Sequence, residues 1–167
     1  GLSISLADKR VSPHKKEQFY YEGGIKEYIE YLNKNKEPIN EKIFYYEVEK
    51  DGYEVEVALQ YTDRYSELIL SYANNIHTTE GGFHEVGLKS AMTRTINDYA
   101  KRNKFIKEND DSLQGDDVRE GLTAIVSVKL TNPQFEGQTK AKLGNSEVKG
   151  LVETNTSAQL TYYLEEN

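Results

Sequence analysis

"KIFYYEVEKDGYEVEVALQYT", residues 42–62, contains two runs in which apolar and polar residues alternate. Alternation with period two places the apolar side chains on one face of a β-strand. Asp51-Gly52 separates the two runs, and this pair favours the tight turn that joins antiparallel strands, because both residues tolerate positive φ. The stretch therefore predicts a β-hairpin, and the rest of the chain must supply the elements that cover its apolar face.

The segments on either side of the hairpin change between helical and strand periodicity. Ile25, Tyr28, Ile29 and Leu32 recur on one helical face, and Leu88, Met92, Ile96 and Tyr99 do so in a longer segment. Strands are predicted at 3–8, 66–75 and 122–130, helices within 22–36, 78–103 and 145–167, and a polar loop at 9–18. Strands and helices in this mixed order indicate an α+β fold.

Length, charge and cysteine content narrow the class of protein. A chain of 167 residues is long enough to bury a core as one domain. Its net charge of −7 disfavours nucleic-acid binding over the whole surface, because phosphates would be repelled. There is no cysteine, no secretory leader and no apolar run approaching the roughly 18 residues of a membrane helix. These features predict a cytoplasmic protein without a membrane partner.

The loop "NPQFEGQTKAKLGNSEV", residues 132–148, is the first candidate site. Behind Gly137 it carries the amide of Gln138, the hydroxyl of Thr139 and the ammonium of Lys140, all hydrogen-bond donors. Such a row fits an anion, although a solvated surface loop has a similar composition.

A basic segment is the second candidate. Lys89, Arg94, Lys101 and Lys104 fall on a helical arc away from the apolar stripe. Residues 89–107 hold six basic side chains and one acid. Two interpretations stay open: a solvated helix face, or an electrostatic guide for the DNA backbone.

Other site classes find little support. His14, His77 and His84 do not have metal-ligand spacing, so no metal site is predicted. Nucleophile-elbow and nucleotide-binding glycine motifs are absent. In "GDDVREGL", residues 115–122, Asp116 or Asp117 is expected to cap a helical turn. Arg119 is expected to pair with Glu120 and Asp117, which makes the segment a structural joint.

Four ordered stretches together resemble one family, the second or transducer domain of the bacterial DNA gyrase B protein, in the type IIA topoisomerases. They are "YYEGGIKEYIEYLNKNKEPI", "NNIHTTEGGFHEVGLKSAMTRTINDY", "GDDVREGLTAIVSVKL" and "PQFEGQTKAKLGNSEV", and the resemblance covers essentially the whole chain. It implies a ribosomal-protein-S5-domain-2-like fold, with a four-stranded, mostly antiparallel sheet and helices packed on one face.

The resemblance also implies a larger assembly. Residues 1–167 would form one transducer domain, with an ATPase domain before it and a DNA-cleavage region after it. The whole enzyme would use ATP and Mg²⁺, bind DNA and the gyrase A protein, and form a homodimer of gyrase B through its ATPase domain. The isolated chain would be inactive and is expected to bind no cofactor by itself.

The resemblance assigns roles of the family's residues to the matching positions of this chain. The resemblance implies that Gln138 and Lys140 hold the γ-phosphate of ATP and that Lys140 assists hydrolysis. Lys89, where many family members have Arg, would face DNA together with Arg94 and Lys101. Phe83 departs from the family's threonine and puts the start of the long helix in doubt, because phenylalanine cannot cap a helix.

Three other identities remain open. The equivalent domain of topoisomerase IV is similar. A transducer from a mismatch-repair ATPase shares the phosphate-contacting lysine but not the "EGGxHEVG" and "DVREGL" wording. A non-enzymatic S5-like binding module, perhaps for RNA, is disfavoured by the net charge and by the lack of stacking aromatics.

Overall fold

The computed structural model describes residues 24–107, 109–136 and 140–166. The strand predicted at 3–8, the polar loop predicted at 9–18 and the site residue Gln138 lie outside the described residues. The elements within the described ranges are α1 (Gly24–Leu32), β1 (Phe44–Lys50), β2 (Tyr53–Tyr61), β3 (Leu68–Ala73), β4 (Ile76–His77), α2 (Phe83–Arg102), α3 (Gly115–Arg119), β5 (Leu122–Lys129) and α4 (Glu147–Glu166).

The hairpin predicted from residues 42–62 is confirmed. β1 and β2 pair antiparallel, and the pairing closes at Lys50 and Tyr53. Asp51 and Gly52 occupy the turn with φ values of 54° and 84°. Positive φ at both central residues gives the turn whose twist matches that of the flanking strands.

The predicted strand count of four is wrong, whereas the mostly antiparallel pairing is confirmed, with one parallel pair. The described residues form a five-stranded mixed sheet in the order β1-β2-β5-β3-β4, in which β3 and β5 are parallel. The path from β3 to β5 includes α2 and α3, and such a long helical crossover can bring two strands side by side in the same direction. The fifth strand, β4, has two residues after the Asn74-Asn75 turn, which is too short to give a periodic signal.

The expectation that the helices share one face of the sheet is also wrong. α2 and α4 pack on the face formed by Val55, Val57 and Val126, whereas α1 packs on the opposite face against Ala58 and Ile125. Successive strand residues point to opposite faces, so both clusters draw on the same two strands. Residues 122–128 of β5 are all buried, because helices cover both of its faces. No helix in the described ranges is long and apolar enough to span a bilayer.

The outer part of the α1 face carries like charges in direct register. Glu47 lies opposite Glu56 and Glu49 lies opposite Glu54 in the β1–β2 pairing. Three of these four side chains are exposed and that of Glu56 is half-buried. Like charges directly opposite each other on a sheet are destabilising, so the buried valines on the other face must outweigh this repulsion.

The closest helix packing is that of α2 on α4. Gly87 of α2 is buried, and a Cβ built on it would lie 2.5 Å from the Lys149 carbonyl oxygen and 3.2 Å from Val152 Cβ. A hydrogen atom is therefore the largest substituent that this crossing accommodates without a backbone shift.

Replacing Gly87 with alanine should lower the free energy of unfolding by roughly 1–3 kcal/mol, the usual cost of overpacking a core. The gain in helix propensity, about 1 kcal/mol, is too small to reverse the sign. Gly150→Ala is the matched control, because a Cβ there meets nothing within 4 Å. Urea denaturation should show the control unchanged or more stable. Equal stability of the two variants would contradict this account of the crossing.

Candidate functional site

The loop between β5 and α4 is a paired hairpin rather than an open connection. Glu136 N donates to Lys142 O at 2.9 Å, and Gly144 N donates to Gln134 O at 2.6 Å. These bonds pair the legs 134–136 and 142–144, so the chain reverses direction between them. Of the two predicted phosphate ligands, Lys140 is described; it lies at this tip of the loop and its side chain is exposed.

The second leg of the loop also pairs with the start of α2. Leu143 N donates to Gly81 O at 3.1 Å, Phe83 N donates to Leu143 O at 3.2 Å, and Glu80 N donates to Ala141 O at 2.7 Å. Ala141 and Leu143 bond to residues 80–83, whereas Lys142 and Gly144 bond to residues 134–136. This leg therefore lies between two partners, as a central strand of a sheet does. The loop tip is thus joined by backbone hydrogen bonds to the first residues of α2.

Gly82 makes this junction possible. Its φ is 141°, and a Cβ on it would lie 2.5 Å from Leu143 O and 2.6 Å from Leu143 N. Gly81-Gly82 therefore forms a sharp helix entry with close backbone packing. α2 begins at Phe83 and its N-cap residue, Gly82, makes no side-chain cap hydrogen bond. The doubt raised by Phe83 is resolved, since Phe83 N bonds to Leu143 O and Val86 N bonds to Gly82 O at 3.0 Å.

The base of the loop is closed by Asn145, which is buried. Its Oδ1 accepts from Gln134 N at 2.6 Å, and its Nδ2 donates to Glu147 Oε2 at 3.1 Å. Tyr53 OH donates to the same Glu147 oxygen at 2.8 Å. The backbone N–H of Glu147, then Asn145 and Tyr53, hold the pKa of Glu147 below its ordinary value. The described loop legs are therefore fixed at their base and along their length.

Lys140 has no hydrogen-bond or ion-pair partner among the described residues. Lys142, two residues further on, has Glu136 Oε1 at 3.9 Å from its Nζ. Among the described residues, Lys142 thus has an acidic neighbour whereas Lys140 has none.

A buried polar network lies beneath the first turn of α2. His84 is fully buried, and its Nε2 lies 3.0 Å from Thr78 Oγ1, while no described atom bonds to its Nδ1. Thr78 Oγ1 lies 2.8 Å from Ser71 Oγ, which donates to Glu85 Oε1 at 3.3 Å. Burial lowers the pKa of His84 to about 4, so the imidazole is neutral at physiological pH.

The network was missed at the sequence level. The spacing of the histidines bears only on a metal site and does not indicate the hydroxyl partners of His84. Within the described ranges, no three His, Asp or Glu side chains lie close enough together to share a metal ion. The spacing of Glu85 and Lys89 would have predicted their ion pair, because residues four apart are neighbours on a helix.

The basic residues of α2 do not converge on one point. Lys89 Nζ lies 3.1 Å from Glu85 Oε2. Arg94 donates to Glu153 Oε2 and to Ser157 Oγ of α4, both at 3.0 Å. Lys101 Nζ donates to Ser112 Oγ at 3.2 Å. The placement of Lys104 on the same helical arc is wrong, because α2 ends at Arg102 and Lys104 has a φ of 61°.

The joint at residues 115–122 differs from its prediction in detail. The N-cap residue of α3 is Gln114, so Asp116 and Asp117 lie in the first turn and do not cap it. Arg119 bonds to Glu67 at 3.2 Å and to Asp116 at 3.1 Å, instead of to Glu120 and Asp117. Asp116 is three residues away on the same helix, whereas Glu67 belongs to the segment before β3, a partner that only the tertiary fold supplies.

Known proteins resemble this chain over all or most of its length. The family model described as DNA gyrase B matches residues 24–167. The DNA gyrase B protein of Clostridium acetobutylicum is 57% identical over 168 residues, which is 100% of this chain and 26% of that protein. The chain thus spans about a quarter of the length of such relatives.

Two solved structures share the fold. The 43K ATPase domain of Thermus thermophilus gyrase B, in complex with an aminocoumarin, has a TM-score of 0.80 and 41% identity, over 89% of this chain and 40% of that one. The topoisomerase IV ATP-binding domain of Francisella tularensis has a TM-score of 0.72 and 30% identity, over 89% and 39%. The resemblance inferred from the four sequence stretches is confirmed.

Stability should depend on pH through His84. Its pKa is about 4 in the folded chain and about 6.5 when exposed, so the unfolded chain binds more protons between these values. Stability is therefore lost as pH falls through this window. Between pH 7.5 and pH 5 the loss from this group should be about 2 kcal/mol.

Urea unfolding of the wild type and of His84→Asn at both pH values isolates the contribution of His84 to the free energy of unfolding. Carboxylates titrate in both proteins, so the wild type should lose about 2 kcal/mol more than the variant on acidification. Identical pH dependence in the two proteins would mean that His84 is not held neutral by burial.

Proposed function

The chain belongs to the DNA gyrase B family, and from this premise we propose that it is the transducer domain of a gyrase-type topoisomerase. In this role it couples ATP binding and hydrolysis to DNA strand passage and supercoiling. The observation that carries the proposal is the paired loop of residues 134–144, which presents Lys140, unpartnered among the described residues, and is hydrogen-bonded to the start of α2. We also propose that the fold is of the ribosomal-protein-S5-domain-2 type and that residues 1–167 form one domain.

Lys140 fits the role of a phosphate ligand. Its ammonium supplies three donors and a full charge on a flexible stem. No described acid neutralises it, whereas Lys142 has Glu136 nearby. We propose that Lys140, together with Gln138, holds the γ-phosphate of ATP bound elsewhere in the protein. The described residues provide no cluster of acids for Mg²⁺, so the metal would be held there too.

The coupling follows from a contact that exists in only one state. ATP supplies a terminal phosphate that is lost on hydrolysis. Lys140 can favour one conformation only through an interaction that differs between the two nucleotide states. Because Ala141 and Leu143 bond to Glu80, Gly81 and Phe83, a shift of the tip displaces the first turn of α2. Lys140 would also stabilise negative charge that develops on the phosphate during hydrolysis.

α2 is the proposed DNA-facing element. Lys89, Arg94 and Lys101 each have a described acceptor or acidic partner, and each retains further N–H donors. Contacts of this kind to phosphates would guide the DNA without reading its sequence. The whole enzyme would bind the gyrase A protein, DNA, ATP and Mg²⁺. It would form a gyrase B dimer through an ATPase domain and would act in the cytoplasm.

Two identities from the sequence remain as competitors. The topoisomerase IV equivalent would carry out decatenation with the same domain. Relatives that are 56–57% identical over the whole chain are DNA gyrase B proteins, which favours gyrase. The non-enzymatic binding module finds no support from the family match. Supercoiling of relaxed circular DNA by the whole enzyme would identify gyrase, decatenation without supercoiling would identify topoisomerase IV, and the absence of both activities would identify the binding module.

Replacing Lys140 with alanine in the full-length gyrase B protein should lower ATP turnover about 10²–10³-fold, the usual effect of removing one preorganised donor to developing charge. Nucleotide affinity should fall less, by roughly 1–3 kcal/mol, since water replaces a ground-state contact. Steady-state ATPase rates and nucleotide titrations measure the two effects.

Lys142→Ala is the matched control, since it removes the same charge from the same loop but from a paired position. It should change turnover only a few-fold, and neither substitution should change thermal melting of this 167-residue chain. Unfolding of the chain by Lys140→Ala, with normal turnover in the whole enzyme, would identify Lys140 as structural.

The chain by itself should neither hydrolyse ATP nor bind it tightly. One phosphate-directed loop gives no site for adenine or ribose, and a single ammonium at a wet surface contributes little affinity. Isothermal calorimetry with a non-hydrolysable ATP analogue should give no saturable heat at micromolar protein. Micromolar affinity for this chain would require a nucleotide site that the proposal lacks.

A further inference from the structure

The ion pair of Lys89 with Glu85 carries a further inference. Lys89 Nζ lies 3.1 Å from Glu85 Oε2, one turn earlier on α2. The carboxylate side chain is 22% exposed and that of the lysine is 35% exposed, so the acid is the more enclosed partner. We propose that Glu85 positions the Lys89 ammonium and competes with DNA phosphate for it. This inference rests on the proposed function, because it takes Lys89 to be DNA-facing.

Glu85 is bonded to the sheet and lies close to the glycine turn before α2. Ser71 Oγ on β3 donates to its Oε1 at 3.3 Å. Gly81 lies so close that a Cβ there would be 3.1 Å from the same oxygen. Glu85 also lies in the first turn of α2, where unpaired N–H groups and the helix dipole favour negative charge. The carboxylate is therefore held on the sheet side of α2.

The hydroxyl that holds Glu85 is itself fixed from below. Ser71 Oγ lies 2.8 Å from Thr78 Oγ1, and Thr78 Oγ1 contacts the ring of the buried His84. All three side chains are at most 2% exposed. A rigid acceptor on the sheet side faces a lysine on a flexible stem, so the lysine is the partner that moves when phosphate arrives.

This arrangement sets the strength of the DNA contact. A pair at this exposure is weak, so phosphate can displace Glu85, but the lysine must give up a neutralising partner to do so. Net counterion release at Lys89 is then smaller than for a free lysine, which reduces both affinity and its salt dependence. Glu85 thus keeps a DNA contact reversible in an element that must let DNA pass.

The test uses the full-length gyrase B protein and a short fluorescent duplex, whose binding is followed by anisotropy between 25 and 200 mM KCl, where the Debye length falls from about 20 to about 7 Å. Glu85→Gln should tighten binding about two- to five-fold at the lowest salt and steepen the salt dependence. Lys89→Ala should weaken binding. In the Lys89→Ala background, Glu85→Gln should have no further effect, because the competition no longer exists.

Glu49→Gln is the control for net charge. Glu49 is exposed on the sheet face opposite α2 and α4, so its removal should leave binding within error. Glu85→Asp keeps the charge but shortens the reach to Lys89 and Ser71, and its affinity should lie between those of the wild type and Glu85→Gln. Circular dichroism melting checks that each variant is folded.

The outcomes separate the inference from the function on which it rests. If Lys89→Ala weakens binding and Glu85→Gln has no effect, the inference is overturned but the DNA-facing role of Lys89 stands. Equal tightening by Glu85→Gln with and without Lys89, or by Glu49→Gln, would also overturn it, since bulk charge would then be the cause. Unchanged binding by Lys89→Ala would overturn the DNA-facing role of this residue and the inference with it.

Discussion

The contact between Gly82 and Leu143 is the constraint on which the rest of the site depends. Two backbone segments approach so closely that a methyl group at Gly82 would lie 2.5 Å from a carbonyl oxygen. The approach lets Leu143 N and O bond on either side of the glycine. The same contact therefore defines where α2 begins and where the loop legs lie. It takes the place of the side-chain cap that a helix of 20 residues usually has.

Local patterns in the sequence were sufficient for most elements. The turn at Asp51-Gly52, the face of α1 and the stripe of α2 all follow from periodicity and turn chemistry, which act over a few residues. The parallel pairing of β3 with β5 and the position of α1 on the opposite face depend on contacts between distant segments. β5 is apolar at most positions, so alternation could not indicate which face a helix covers.

The candidate site also has some features that the sequence indicates and others that only the tertiary structure supplies. Residue types indicated an anion-binding loop, and the family resemblance implied a phosphate ligand at Lys140. Only the structure distinguishes Lys140 from Lys142, by the presence of Glu136. The cations of α2 were visible in the sequence, whereas the acids that accompany them, such as Glu153 on α4, were not. Ion pairs between elements need tertiary information, while the Glu85–Lys89 pair needs only the helical spacing.

The facing glutamates of β1 and β2 have a consequence for the protein in a crowded cell. β1 is the outermost strand on its side of the described sheet, and an outermost strand is a template on which another chain can add. A second copy that added there in antiparallel order would bring more glutamates beside Glu47 and Glu49. The repulsion that costs the monomer some stability therefore disfavours the addition of such a strand at this edge of the described sheet.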